Sequence, residues 1–220
     1  MKVNQALCAA GPVDAVTGQA LAYRALFDEW GWGGRDCADR TAGGIDRRTV
    51  RPLRTLEESP ADALVLHYSG YAPHIERVLA LPYPTLLVSH NITPARWFWR
   101  YQPTEGVHCT LGREQLAELA AAADVAAGVS EFNARELRAA GADASVIPIL
   151  FDREALGAPG PQPPPGPPTI LFVGRLAPHK RQDSVIRAFA LYRRRHAPDA
   201  RLVLVGVPAM PELDAALRRL

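Results

Sequence analysis

Short apolar runs that are continuous rather than alternating limit most strongly what this chain can fold into. Ala63-Leu64-Val65-Leu66, Thr85-Leu86-Leu87-Val88, Ile170-Leu171-Phe172-Val173 and Leu202-Val203-Leu204-Val205 are bounded by polar or turn residues. Strands apolar at every position are buried on both faces, which means a parallel sheet covered by helices. Stretches of helical character separate the runs, so the chain is expected to be α/β.

The pass along the chain predicts an opening strand at Lys2–Leu7, a loop through Gly11-Pro12-Val13-Asp14, and an amphipathic helix from Gly18 to Trp30 with Leu21, Ala25 and Leu26 on one face. Residues 35–60 are polar and read as a weak strand with loops. Strands follow at Ala63–His67 and Thr85–His90, with a short helix between them at Pro73–Leu81. Leu111–Ala122 reads as a helix and Asp124–Val129 as a strand. Ser130 is placed to cap a helix running to about Ala140, with Gly141 as its stop. A strand at Ser145–Leu150 closes this half.

Between Gly157 and Pro168 the composition turns to proline and glycine. Prolines lack the N–H that a sheet ladder needs, so this reads as a stiff, extended linker. The α/β pattern then restarts: strand at Thr169–Gly174, helix at Gln182–Arg195, strand at Arg201–Gly206, helix from Pro211. The expected organisation is residues 1–151 as one Rossmann-like domain, 152–168 as linker, and 169–220 as part of a second. Two strands and two helices are a small core for an independent domain, so the second domain is expected to be truncated.

Composition excludes several classes. Net charge is +2 over 220 residues, too little to argue for nucleic acid. Cys8, Cys37 and Cys109 are odd in number and lack metal-ligand spacing, which fits free thiols in a reducing compartment. No apolar stretch reaches the ~18 residues of a membrane helix, and the first residues lack a signal peptide's apolar core. A cytoplasmic location is expected, with peripheral membrane contact left open. No G-x-G-x-x-G follows the first strand, which disfavours a nicotinamide enzyme. No Walker-type lysine loop and no G-x-S-x-G elbow occur.

The strongest chemical signal is Gly174-Arg175-Leu176-Ala177-Pro178-His179-Lys180, directly after a strand and before a helix. Gly174 permits a sharp turn. Arg175 offers a fork of donors for phosphate oxygens, and Lys180 a mobile point charge. Two cations beside a helix N-terminus make a diphosphate site, unless both are simply solvated. In the first half, His67 and His90 end predicted buried strands. Each reads either as a cleft group or as a structural histidine bonded inside the core. Ser130 reads first as a cap, with Glu131 and Asn133 as residues that could face the cleft. Trp97, Phe98 and Trp99 cannot all share one helix face; packing, sugar stacking and membrane contact remain open for them.

The stretch from Ile170 to Gly206 resembles the start of the donor-binding domain of glycosyltransferase family 4, a retaining family of the GT-B fold. Gly174-Arg175-Leu176, Lys180 and Pro198-Asp199-Ala200-Arg201-Leu202 carry that resemblance. The first half is similar to the same family at Asp14-Ala15-Val16, His90-Asn91-Ile92-Thr93-Pro94 and Ser130-Glu131-Phe132-Asn133. The resemblance implies hexosyl transfer from a nucleotide-diphosphate sugar to a glycan, lipid-linked or small-molecule acceptor, with retention. It implies no metal and no other cofactor. Arg175 and Lys180 would be the catalytic cations, and with Gly174 the donor-binding residues. Asp14, His67, His90, Asn91, Glu131 and Asn133 would be the acceptor or cleft residues.

Three departures stand out. Arg181 follows the lysine where relatives often have glycine. Val13 and Thr17 stand in the first loop where more glycine is expected. The family's Glu-x7-Glu motif is not reached by Leu220. Alternatives are therefore a non-catalytic fragment, one half of a split enzyme completed by a partner chain, or another GT-B enzyme such as a sugar-nucleotide epimerase.

Overall fold

In the computed structural model, residues 1–150, 157–158, 160–161 and 166–220 are described. Contacts divide the chain into two units: Met1–Ile92 with His108–Asp152, and Thr93–Val107 with Arg153–Leu220. Of the proline-rich linker, residues 152–156, 159 and 162–165 lie outside the described residues.

The first unit is built on seven strands: β1 (Val3–Ala10), β2 (Asp36–Thr41), β3 (Arg51–Pro52), β4 (Ala63–Tyr68), β5 (Thr85–Ser89), β6 (Val125–Gly128) and β7 (Ala144–Val146). Their order is β3-β2-β1-β4-β5-β6-β7, and every pairing is parallel. The two continuous apolar runs of this unit are indeed buried: Leu64, Leu66, Leu87 and Val88 are at most 1% exposed. Helices α1 (Ala15–Glu29) and α3 (Glu131–Ala139) belong to this unit. α1 carries Tyr23 and Phe27 into a cluster with Val3, Val65 and Val88.

Several elements differ from the sequence expectation. β1 runs three residues past Leu7, because Cys8 and Ala10 remain buried. The polar stretch after Arg35 holds two strands and a 3-10 turn at Leu53–Leu56. Its polar residues are spent on buried bonds: Gln5 Nε2 donates to Asp36 at 2.8 Å. The helix expected at Pro73–Leu81 is a 3-10 turn, Ile75–Ala80. Helix α2 spans Pro103–Ala122, eight residues earlier than expected. Proline at the first helical position has its φ already set and no N–H to lose. The last strand of the half is three residues long; Pro148, just beyond it, has no N–H for a ladder.

α3 matches its expected bounds, with Ser130 as the cap that accepts from the Asn133 N–H and Gly141 at a φ of 94° after its end. Gly128, at the end of β6, lets α3 approach. A Cβ there would lie 2.3 Å from the Ala134 nitrogen.

In the second unit β8 (Thr169–Val173) and β9 (Arg201–Val205) form a parallel pair in register Thr169↔Arg201 to Val173↔Val205. α4 (Gln182–Arg195) and α5 (Pro211–Leu217) follow the two strands. The burial on both faces expected of these two apolar runs is not found: on this sheet of two strands Leu171 is 60% and Val173 70% exposed, and Val203 and Val205 are exposed as well. Residues 93–107, read from sequence as part of the first domain, cluster here. The cause is aromatic: Phe98 is buried with its ring 5.9 Å from that of His179, and Trp97 lies under Arg181. Trp99 is exposed but covers Gly106, where a Cβ would meet its indole at 2.8 Å. Each of the three aromatics thus has a packing contact in this unit, while Trp99 also remains exposed.

Among the described residues no helix is long and apolar enough to cross a membrane. The three cysteines are buried, and none forms a disulfide among the described residues.

Candidate functional site

In the first unit β1 lies between β2 and β4, so the strand order reverses at β1. A crevice opens at the carboxyl ends of the strands at such a switch point, where open α/β sheets take ligands. The loop after β1, the end of β4 and the residues after β5 meet there by topology.

Asp14 is the N-cap of α1. Its Oδ2 accepts from the Thr17 N–H and from the Thr17 hydroxyl, both at 2.8 Å. The hydroxyl oxygen in turn accepts from the Gly11 N–H at 3.0 Å. Threonine where glycine is expected therefore braces the loop from inside, while Val13 is 94% exposed at its tip.

His67 is fully buried and sits in the core rather than at an open surface. Its Nε2 lies 2.9 Å from Gln5 Oε1 and its Nδ1 3.4 Å from His90 Nε2. Burial, with the neighbouring His90, lowers its pKa to about 3. Burial lowers that of His90 to about 4, against the opposing charge of Asp14. Both rings are neutral near pH 7. Asn91, the next residue, is exposed.

The remaining first-unit candidates sit at the start of α3. Asn133 is buried; its Oδ1 accepts from the Ser130 hydroxyl at 2.7 Å, while its Nδ2 has no partner. Glu131 is exposed and pairs with Arg138 at 2.7 Å. The structure gathers Asp14, His67 and His90 through direct bonds and charge, whereas Glu131 is tied along its own helix.

In the second unit Gly174 directly follows β8, and its carbonyl is approached by Gly206. A Cβ on Gly206 would lie 1.9 Å from that oxygen, so no side chain fits. Arg175 and Lys180 are exposed, and no described carboxylate forms an ion pair with either. The loop backbone is fixed from behind: buried Gln182 donates to the Arg175 carbonyl at 3.1 Å. His179 stands between the cations. Burial, then Lys180 and Arg175, lowers its pKa, and its Nδ1 is buried without a partner. A loop with two uncommitted cations and an unsatisfied ring nitrogen, at the start of a 14-residue helix, can take an anion.

Arg181 is the described non-glycine residue in the left-handed region, at φ 55° and ψ 39°. That conformation explains why glycine suits the position. Here the arginine is held by Asp183 at 3.1 Å, by Ser184 and by the Trp97 ring. Sequence reasoning missed this brace, and also missed Gln5 and Asp36. Two polar residues, Asn4 and Gln5, inside an otherwise apolar first strand were the available signal.

Among the described residues no cluster of three or more His, Cys, Asp or Glu is placed to hold a metal.

Residues 159–218 match the family model described as Glycosyl transferases group 1. A solved structure with the same fold is an "alpha-glucosyltransferase in complex with UDP and a 13-mer DNA containing a central A:G mismatch". The likeness has a TM-score of 0.60 at 12% sequence identity and covers 100% of this chain. The chain spans 59% of the length of that protein. No curated protein matches the sequence significantly. The fold is therefore α/β with parallel sheets, of the kind seen in GT-B glycosyltransferases.

Proposed function

We propose that the chain belongs to a retaining GT-B glycosyltransferase of family 4, with Arg175 and Lys180 as its donor-diphosphate cations. The observation that supports this most is the strand–Gly174–Arg175–Lys180–helix unit. It lies inside the segment that matches Glycosyl transferases group 1, and both its cations are uncommitted.

In this reading the anomeric carbon passes from a phosphate oxygen to an acceptor hydroxyl, releasing a nucleoside diphosphate and a proton. Negative charge grows on the diphosphate as the bond breaks. Arg175, Lys180 and the N–H groups at the start of α4 meet that charge, an electrostatic role that needs no bound metal. Gly174 gives the phosphates close access to the backbone. His67 acts behind His90, and His90 and Asn91 line the crevice of the first unit with Asp14. Glu131 and Asn133 stand at its α3 side. The acceptor is a glycan, a lipid-linked sugar or a small molecule. DNA belongs to the complex of the structural neighbour, and the small net charge of this chain gives no reason to carry it over.

The test is calorimetric titration of the chain with a panel of nucleoside diphosphates at low and high salt, then labelled sugar nucleotides with mixed acceptors. Salt-sensitive binding that is lost on replacing Arg175 or Lys180 is expected, and product anomers read by NMR decide retention. Absence of binding by every nucleoside diphosphate would sink the proposal.

A further inference from the structure

A chain of buried polar groups runs from α1 to the crevice of the first unit. Gln5 is fully buried in β1. Its amide nitrogen donates to the Ala20 carbonyl and to Asp36 Oδ1, each at 2.8 Å. Arg24 holds Asp36 from the other side, with Nε at 3.1 Å and a terminal nitrogen at 2.8 Å from the same oxygen. With both N–H bonds of Gln5 committed, only its oxygen is left for His67. That oxygen can only accept, so His67 Nε2, 2.9 Å away, carries the hydrogen.

His67 is neutral, so its Nδ1 is a bare lone pair. That lone pair faces His90 Nε2 at 3.4 Å. Two lone pairs would repel, so His90 donates through Nε2. Its own Nδ1 is then unprotonated, and no described residue bonds to it. Every member of the chain is bonded to its neighbour. Arg24 Nη1 is buried without a partner at the far end, and at the crevice end the open valence is on His90, just past the carboxyl end of β5.

We infer that Gln5 and His67 are positioning residues that lock His90 in the Nε2–H tautomer, so that its Nδ1 accepts a hydrogen bond from a hydroxyl group of the bound sugar or acceptor. The ligand class follows from the bare nitrogen: a hydroxyl can donate to it, whereas a phosphate or carboxylate presents only acceptor oxygens and is repelled. This role rests on the glycosyl-transfer reading for its ligand, though the tautomer itself does not.

The test is long-range proton–nitrogen correlation NMR on the full chain with labelled histidine, at pH 7. His67→Phe and His90→Gln assign the signals. His67 and His90 are each expected to show a protonated Nε2 and a bare Nδ1. In the His67→Phe variant the His90 signals should move to the averaged positions of exchanging tautomers. A proton on His90 Nδ1, or a tautomer mixture in the unmodified chain, overturns the lock, even if the variant fails to fold. Saturating UDP-glucose should shift the His90 Nδ1 resonance, and inorganic phosphate should not. UDP-glucose bound with Nδ1 unmoved overturns the hydroxyl role. A chain that binds no sugar nucleotide, yet shows the expected tautomers, overturns the glycosyl-transfer reading and the ligand with it, while the lock stands.

Discussion

The guanidinium carbon of Arg181 lies 5.7 Å from the centroid of the Trp97 ring, so a residue in left-handed backbone geometry is clamped by one 84 positions earlier. Backbone and side chain pull in opposite directions here. The left-handed conformation costs a non-glycine residue roughly 1–2 kcal/mol. The exposed cation–π contact returns about 0.5–1 kcal/mol, and the exposed pair with Asp183 about 0–1. Arg181→Gly should therefore change stability by less than about 1 kcal/mol, since relief of strain offsets the lost contacts. Arg181→Ala keeps the strain and loses the contacts, so it should be the less stable variant by about 1 kcal/mol. Urea unfolding of both variants checks the order. Alanine more stable than glycine would contradict the account.

Arg175→Ala and Lys180→Ala should each weaken nucleoside diphosphate binding about ten- to a hundredfold. That is the factor for a charge-assisted hydrogen bond of roughly 1.5–3 kcal/mol. Stability should hardly move, because both side chains are exposed and unpaired among the described residues. Calorimetric titration measures the first effect and thermal unfolding the second. Unchanged affinity in both variants would remove these residues from the site.

Acid should destabilise the first unit through its buried histidines. Folded-state pKa values of about 3 for His67 and about 4 for His90 lie below the ordinary 6.5. As pH falls below 6.5 the unfolded chain takes up protons that the folded chain refuses. The stability present above pH 6.5 is thus lost progressively toward pH 4, at about 1.4 kcal/mol per pH unit for each histidine. Urea midpoints followed from pH 7 to 4.5 should show the decline, and His90→Gln should make it shallower. A flat wild-type profile would count against neutral burial of the pair.

Gly128→Ala should be costly although it adds one methyl group. The new carbon would meet backbone at 2.3 Å from the Ala134 nitrogen and 2.6 Å from the Asn133 carbonyl carbon. Backbone cannot rotate away as a side chain can, so β6 and α3 must separate. Overpacking of this kind costs typically about 1–3 kcal/mol. Gly18→Ala, where nothing lies within 4 Å, is the control and should be neutral or stabilising. Equal denaturation midpoints for the two variants would show that α3 has room to shift.

The first-unit sheet was legible in the sequence because continuous apolar runs such as Leu64–Leu66 suit burial on both faces, although the similar run in β8 leaves Leu171 and Val173 exposed. Ser130 and Gly141 were legible because capping is local chemistry. β2 was obscured because its polar residues, Asp36 and Asp39, find partners far along the chain: Arg24 for one, His74 for the other. No local pattern encodes such pairs. The start of α2 was missed because Pro103 and Gly106 resemble loop residues, while Gly106 is in fact the seat of Trp99. At the candidate site, Arg175 and Lys180 were visible as a motif. His67 was visible only as a residue at the end of an apolar strand, and its choice between core and crevice needed the position of Gln5.

Residues 93–107 interrupt one unit in sequence and cluster with the other, which bears on how such a protein can be dissected or recombined. A cut made where the prolines lie would look natural on paper. It would carry Trp97 and Phe98 off with the amino-terminal piece and leave His179 and Arg181 stripped of the rings against which they rest. Swapping the carboxyl-terminal half for that of a relative would set up the same mismatch, because the incoming loop would meet aromatics chosen for a different one. Transplants should therefore take the excursion along with the half it serves, as two separate stretches of sequence exchanged together.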